Sequence, residues 1–263
     1  VENGFDLDSS VVDFDNSFFH KRFGKEGQGK LLILPATYRL QYNSTYAFGV
    51  NDGAFIPNRG FQNIISGGAY AEYKGFSLQL QPEVLMAQNR DYLGFPIEHQ
   101  ATILFYYEYM NRIDSPERFG TEPYNKLYLG QSSFRYNYKE YSFGISTENL
   151  WWGPGRRNSL LLGNNAPGFL HFTANTRKPV ETKIGSFEGQ LIAGFLNSTE
   201  FLPPWPDYNI QENPVYIAKR ENGNRFLSGI VFTYQPKWVP GLFLGYGSTN
   251  HLYRSDIIDF RDV

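Results

Sequence analysis

From Leu31 onward the side chains alternate between apolar and polar, and this alternation most narrows what the chain can become. Over residues 36–43, Ala36, Tyr38, Leu40 and Tyr42 share one parity, while Thr37, Arg39, Gln41 and Asn43 share the other. Residues 76–86 set Phe76, Leu78, Leu80, Val84 and Met86 against Ser77, Gln79, Gln81 and Glu83; residues 187–195 set Phe187, Leu191, Ala193 and Phe195 against Glu188, Gln190 and Gly194. A period of two means extended strands with one apolar and one polar face. Further strands of this kind are predicted over 61–73, 127–138, 141–149, 169–176, 226–235 and 242–250, which brings the legible strands to nine. Tyr73-Lys74-Gly75 and Lys139-Glu140 read as hairpin turns, and residues 236–241 as a longer Gly- and Pro-bearing connection. The fold class is therefore all-β and antiparallel.

An alternating sheet can close over a dry core as a soluble sandwich or show its apolar side to lipid as a barrel. In a sandwich, Arg39, Glu83, Arg135, Glu148 and Glu188 would simply face solvent. Aromatic residues are 17% of the 263, yet mean hydropathy is only -0.43, a pairing that suits a transmembrane barrel. Tyr38, Tyr42, Tyr136, Tyr138 and Tyr141 on the apolar faces suit an interfacial aromatic girdle, so the pattern favours the barrel. No apolar run approaches the roughly eighteen residues of a membrane-spanning helix. Net charge is -2, which argues against a dedicated nucleic-acid binder. There is no cysteine, so disulfides, thiolate metal sites and cysteine nucleophiles are excluded together. Val1 is followed by no charged-then-apolar leader, so any signal peptide is expected to have been removed.

Residues 1–29 read as an irregular N-terminal segment and residues 30–263 as the barrel, with no internal repeat or linker. Asp6, Asp8, Asp13 and Asp15 lack the spacing of a calcium loop and read as a solvated acidic cluster. Gly24-Lys25-Glu26-Gly27-Gln28-Gly29-Lys30 approaches a phosphate loop, but Leu31 replaces the required hydroxyl and a strand follows, so a plain turn is predicted. Residues 89–99, 111–125 and 197–224 break the strand rhythm. Residues 100–109 fit either a strand or a buried helical turn.

Residues 148–169 carry the densest chemistry: Glu148-Asn149-Leu150-Trp151-Trp152-Gly153-Pro154-Gly155-Arg156-Arg157-Asn158-Ser159-Leu160, then Gly163-Asn164-Asn165-Ala166-Pro167-Gly168-Phe169. Gly153-Pro154-Gly155 forbids helix and central strand alike, and irregular backbone this rich in aromatic groups must pack against something. The segment resembles the signature of the capsule-assembly Wzi family of bacterial outer-membrane proteins. Arg39-Leu40-Gln41-Tyr42-Asn43-Ser44, Asn51-Asp52-Gly53-Ala54-Phe55-Ile56-Pro57, Pro116-Glu117-Arg118-Phe119-Gly120, Gly130-Gln131-Ser132-Ser133 and Tyr234-Gln235-Pro236-Lys237-Trp238 support it in family order. The resemblance implies an outer-membrane β-barrel of about eighteen strands with a small helical plug, acting as a non-catalytic lectin that holds capsular polysaccharide at the cell surface.

Catalytic signals are thin. His20, His99, His171 and His251 lie far apart without metal-ligand spacing, no Gly-x-Ser-x-Gly elbow is present, and no cofactor is called for. For binding, Trp151 and Trp152 can stack on sugar faces, while Arg156, Arg157, Asn158, Asn164 and Asn165 can reach hydroxyls and carboxylates. Two other roles stay open. The segment can be a folded-in plug or rim whose arginines pair with Glu148 and Glu188. Alternatively, the chain can be an accessory barrel of an outer-membrane protein complex, docking through residues 203–208 and 111–125. Expected partners are outer-membrane lipid, surface polysaccharide and, in the accessory reading, other outer-membrane proteins. Nine strands at roughly 20 residues each, connections included, fall short of the implied number. We therefore expect an incomplete wall with an unpaired edge, belonging to a longer chain.

Overall fold

A computed structural model describes residues 20–94, 110, 116–201 and 224–257. The readings placed on residues 1–19, 95–109, 111–115, 202–223 and 258–263, including the acidic cluster, His99 and the 203–208 loop, lie outside the described residues. The strands are β1 (His20–Phe23), β2 (Gly29–Asn43), β3 (Gly60–Tyr73), β4 (Phe76–Leu80), β5 (Glu83–Ala87), β6 (Tyr124–Tyr128) and β7 (Ser133–Tyr138). They continue with β8 (Tyr141–Ser146), β9 (His171–Thr176), β10 (Val180–Thr182), β11 (Gly185–Leu196), β12 (Arg225–Pro236) and β13 (Leu244–Tyr253). All thirteen belong to one sheet, and every strand pair is antiparallel.

The main path runs β1-β2-β3-β4-β7-β8-β9-β11-β12-β13. β5 extends β4 along the same side of β3, and β6 and β10 similarly extend β7 and β9. The nine strands read from alternation each correspond to one lane of this sheet. Residues 20–23 add a lane inside the segment expected to be irregular. His-Lys-Arg-Phe is too short and too charged to show a period, and β1 is specified by its pairing with residues 29–32 of β2. The phosphate-loop lookalike is a turn, with a 3-10 turn at Lys25–Gly27 leading into β2. Among the described residues the sheet stays open: β1 has β2 as its one neighbour and β13 has β12.

Irregular positions align across four lanes. The β2–β3 register shifts between Leu34 and Thr37, so Pro35-Ala36 lies opposite Gly67. Next to Gly67-Gly68 lies Gln81-Pro82, which separates β4 from β5 without changing their shared register on β3. Pro82 has no N–H to give the ladder. Beyond it, residues 129–132 contain one residue more than the 80–82 stretch they face, a bulge around Gly130 at φ 59°. Such bulges bend and twist the strands that carry them. The backbones approach so closely here that a Cβ on Gly68 would lie 1.9 Å from the Leu80 carbonyl oxygen, and one on Gly130 2.3 Å from that of Gln81.

The two faces are inverted relative to a water-soluble sandwich. Tyr38, Leu40, Tyr42, Ile65, Leu80, Phe134, Ile145, Phe172 and Leu191 are exposed, Tyr38 by 63% and Ile145 by 52%. The opposite face is covered and holds Gln62, Ser66, Ser77, Glu83, Ser142, Ser146, His171, Thr173 and Gln190. Aromatic neighbours pair across strands on the exposed face, with ring centroids 4.4 Å apart for Tyr42 and Phe61, 4.9 Å for Phe76 and Tyr136, and 4.7 Å for Phe187 and Tyr234. Each large apolar side chain left in water forgoes ~1.5–3 kcal/mol of burial. A whole face of them is not what an aqueous surface tolerates.

Gly130→Ala is expected to destabilise the sheet by ~2–4 kcal/mol, since it adds a methyl group against backbone to an already left-handed conformation. Gly241 is also left-handed, at φ 83°, but has nothing within 4 Å of the added carbon. Gly241→Ala should cost no more than ~1–2 kcal/mol. Thermal midpoints in detergent check the difference, and equal shifts would refute the close approach at Gly130.

Candidate functional site

Two irregular segments fold back over the polar face. In the first, residues 51–58, Ala54 and Ile56 are buried against Ile64 of β3 and Leu85 and Ala87 of β5. Gln62 holds Ile56 from both sides: its Oε1 accepts from the Ile56 N–H at 3.2 Å, and its Nε2 donates to the Ile56 carbonyl at 2.9 Å. In the second, residues 150–169, Leu150 and Trp152 pack on Ile192 of β11, with Leu162, Phe169 and Val231 around them.

Trp152 fixes the second segment. It is 1% exposed, and its indole N–H donates to Gln190 Oε1 at 2.9 Å, while Gln190 Nε2 donates to Thr173 at 3.1 Å. The ring lies against Gly229 of β12, where a Cβ would stand 2.9 Å from Cη2. Its backbone closes the loop, with N–H to the Leu162 carbonyl at 3.0 Å and C=O from the Leu160 N–H at 2.7 Å. That closure requires Gly153, whose φ of 119° and 2.6 Å approach to Leu160 Cβ exclude a side chain. Trp151 is half-buried and donates to the Gly155 carbonyl at 2.7 Å.

The two segments clasp each other. The Asn51 N–H donates to Asn165 Oδ1 at 2.8 Å, and Asn51 Nδ2 donates to the Arg157 carbonyl at 2.6 Å. Asn164 Nδ2 donates to the Asn51 carbonyl at 3.2 Å, and the Gly53 N–H to the Asn164 carbonyl at 2.9 Å. Below them the inward charges are matched. Arg135 donates to Glu148 Oε2 at 2.6 Å and to Asn175 at 2.9 Å. Glu148 also accepts from Ser146 at 2.9 Å, Ser133 at 3.3 Å and Gln79 at 3.4 Å. Arg39 lies 3.6 Å from the buried Glu83, donates to the Asp52 carbonyl at 3.0 Å and sits over the Phe55 ring.

Asp52 is the strained member. Burial pushes its carboxyl above the ordinary carboxylate range, against the pull of backbone hydrogen bonds and the Arg39 guanidinium, and its Oδ2 is buried without a hydrogen-bond partner. Among the described residues, no cluster of three or more His, Asp or Glu side chains could hold a metal ion. His171 is buried, with Nδ1 2.7 Å from the Phe169 carbonyl oxygen.

The seven residues singled out for ligand contact therefore divide. Trp152 is sealed into the sheet. Trp151 and Asn164 are half-buried and used by the loop, while Asn165 is exposed and lends its side-chain oxygen to Asn51. Arg156, Arg157 and Asn158 are exposed. Neither arginine makes an ion pair among the described residues, since Glu148 belongs to Arg135. Sequence reasoning missed the clasping role of Asn51 and Gly53, although Asn51-Asp52-Gly53 is a strong turn signal.

Residues 45–220 match the family described as Capsule assembly protein Wzi. The chain belongs to that family. The matched span contains both inward segments and the Pro116 and Gly130 motifs; residues 39–44 and 234–238, which also resemble the Wzi pattern, fall outside it. No curated protein and no solved structure matches the chain.

Trp152→Ala should cost ~3–5 kcal/mol of stability, the range for a buried large aromatic, whereas Trp151→Ala should cost less. Thermal unfolding in detergent separates them, and equal losses would remove Trp152 from its anchoring role. For Asp52 the sign follows from the raised folded-state pKa. Both states are protonated below the unfolded value of ~3.9, and stability falls as pH rises from there through the folded value. Asp52→Asn should abolish this fall and be at least as stable as the parent at pH 7. A variant less stable at pH 7 would mean that the carboxylate's attraction to Arg39 outweighs its burial.

Proposed function

We propose that this protein is an outer-membrane β-barrel component that holds capsular polysaccharide at the cell surface as a non-catalytic, lectin-like binder. Family membership supports the process, and the inverted sheet supports the location. Apolar side chains cover the exposed face, whereas Arg39, Glu83, Arg135 and Glu148 sit on the covered one. A charge placed on a lipid-facing position costs ~2–4 kcal/mol at mid-bilayer, so this division is what a bilayer selects.

The observation that carries the binding role is the contrast within residues 151–168. Most of the segment's polar groups serve the fold, yet Arg156, Arg157 and Asn158 are held outward on a loop that Trp152 and the Asn51 clasp make rigid. Two adjacent guanidinium groups without an ion-pair partner among the described residues match a polyanion that presents carboxylates. Each can form a bidentate pair, and the preformed loop lowers the ordering cost of doing so. The half-buried Trp151 beside them offers an apolar edge to a sugar ring.

Arg156→Ala with Arg157→Ala should reduce capsule retained on the cell surface by roughly tenfold or more, given ~1.5–3 kcal/mol per charged hydrogen bond. The thermal midpoint should remain within ~0.5 kcal/mol of the parent, as expected for exposed positions. Unchanged retention with lowered stability would reduce the segment to packing. Gentle detergent extraction provides the parallel check: acidic polysaccharide in the purified particle supports this reading, and a stoichiometric protein complex without it favours an accessory subunit.

A further inference from the structure

The exposed face carries a groove of about 470 Å³ across β8, β9, β11 and β12. Its origin lies in the ladder. β9 pairs with β11 up to Asn175↔Gln190, and β10 resumes at Val180↔Phe187, so residues 176–179 face only Glu188 and Gly189. The Thr176 hydroxyl fills the gap, accepting from the Gly189 N–H at 3.0 Å and donating to its carbonyl at 3.4 Å. On the exposed side of this break the floor is Ala174 and Gly189, which have almost no side chain, and Tyr141, Phe143, Phe187 and Phe232 stand around them.

At its turn end the groove meets a basic rim. Lys139 precedes Tyr141 by two positions, Lys178 is among the displaced residues on the parity of Ala174, and Lys183 lies in the turn between β10 and β11; all three are exposed, whereas Arg177 has the parity of Asn175 and lies within electrostatic range of Tyr70 on the covered face. The acids at this rim are Glu140, 3.5 Å from Lys178, and Glu181. Three cations against two carboxylates leave a net positive charge.

We propose that the groove seats one acyl chain of an anionic glycerophospholipid, with its phosphate held between Lys139 and Lys178. The assignment rests on the reading that this face meets lipid, and it adds a specific site to that general contact. A linear apolar chain fits a floor without side chains between flat aromatic walls, and the volume is within the range of small-ligand sites. The rim selects charge, because lysine ammonium groups attract a phosphate as point charges and the rim's net positive charge favours a headgroup that keeps its negative charge. A zwitterionic lipid satisfies only the groove, and free phosphate only the rim.

Native mass spectrometry of the full chain, released from nanodiscs containing equal phosphatidylglycerol and phosphatidylcholine, tests this. The parent should retain one phosphatidylglycerol. Ala174→Leu fills the floor and should lower retention of either lipid roughly tenfold, the change expected from losing contact with about two methylenes, without lowering the thermal midpoint. The Lys139→Gln, Lys178→Gln combination should erase the preference for phosphatidylglycerol while phosphatidylcholine retention persists. Added inorganic phosphate should displace nothing; displacement by it would overturn the lipid assignment in favour of a simple anion site. Retention indifferent to Ala174→Leu, in protein that still inserts into liposomes, would overturn the groove alone. Failure of the parent to insert at all would instead overturn the outer-membrane reading.

Discussion

The polar face of this sheet is covered by the protein's own chain, so its hydrogen-bonding groups depend on partners within the fold; most have them, while the Ser66 and Ser142 hydroxyls do not. An unpartnered buried polar group costs ~1–3 kcal/mol, and a charged one more. Glu148 shows the consequence. Its two carboxylate oxygens take hydrogens from Arg135, Ser146, Ser133 and Gln79, which reach it from β4, β7 and β8. A hub of this kind is poor evidence of large net stabilisation, because desolvation offsets much of the attraction. It does fix register, since a one-residue slip of β7 would turn Arg135 and Ser133 to the opposite face and leave Glu148 uncompensated.

The same constraint explains why the inward segments are built from Asn, Gln, Gly and Trp. Backbone entering a covered space brings its own N–H and C=O groups, and side-chain amides can serve donor and acceptor together. Gln62 does so for Ile56, and Gln131 with Asn149 does so for the start of the second segment. Glycine supplies the other requirement, proximity. Gly229 lets the Trp152 ring lie on β12, and at Gly168 a Cβ would stand 1.9 Å from the Thr147 carbonyl oxygen. The tryptophan supplies the apolar area, and its single N–H is matched by Gln190, so the anchor leaves no polar remainder.

These causes also set what could be read from sequence. Strand identity was legible because lipid-like and covered surroundings impose opposite chemistry on successive side chains. Interruptions were legible only in part. Pro82 removes a ladder bond without changing parity, so residues 76–86 read as one strand and the break is invisible in the pattern. At Gly130 the exposed parity does change, from Leu127 and Leu129 to Phe134, Tyr136 and Tyr138, and that flip is the trace of the bulge. The fate of Trp151 against Trp152 was not legible. It depends on Gly229 and Gln190, which neighbour the tryptophans in space and not along the chain. Glu148 likewise could not be assigned to Arg135 over Arg156 or Arg157: the Lys139-Glu140 hairpin makes β7 and β8 neighbours, but Glu148 lies beyond Ser146, the end of β8, where strand parity no longer says which way a side chain turns.

Assigning Glu148 to Arg135 bears on how the loop can act. Had Arg156 or Arg157 been the partner of Glu148, one of the loop's two positive charges would have been cancelled and that arginine spent on the fold. Because Arg135 on β7 takes Glu148, the loop's two arginines have no ion-pair partner among the described residues, at a point where Asn51 holds the backbone. Exposed charges like these contribute little to stability. In the proposed role they would meet an external anion without rearrangement of the loop, and a fixed presentation favours a repeating ligand that offers the same carboxylate geometry many times. Individually weak contacts to such a polymer gain through effective concentration, since release of one repeat leaves the next within reach. Retention of a long polysaccharide therefore does not require a deep pocket. A shallow, fixed cationic edge on a sheet whose other face is committed to an apolar environment meets that requirement.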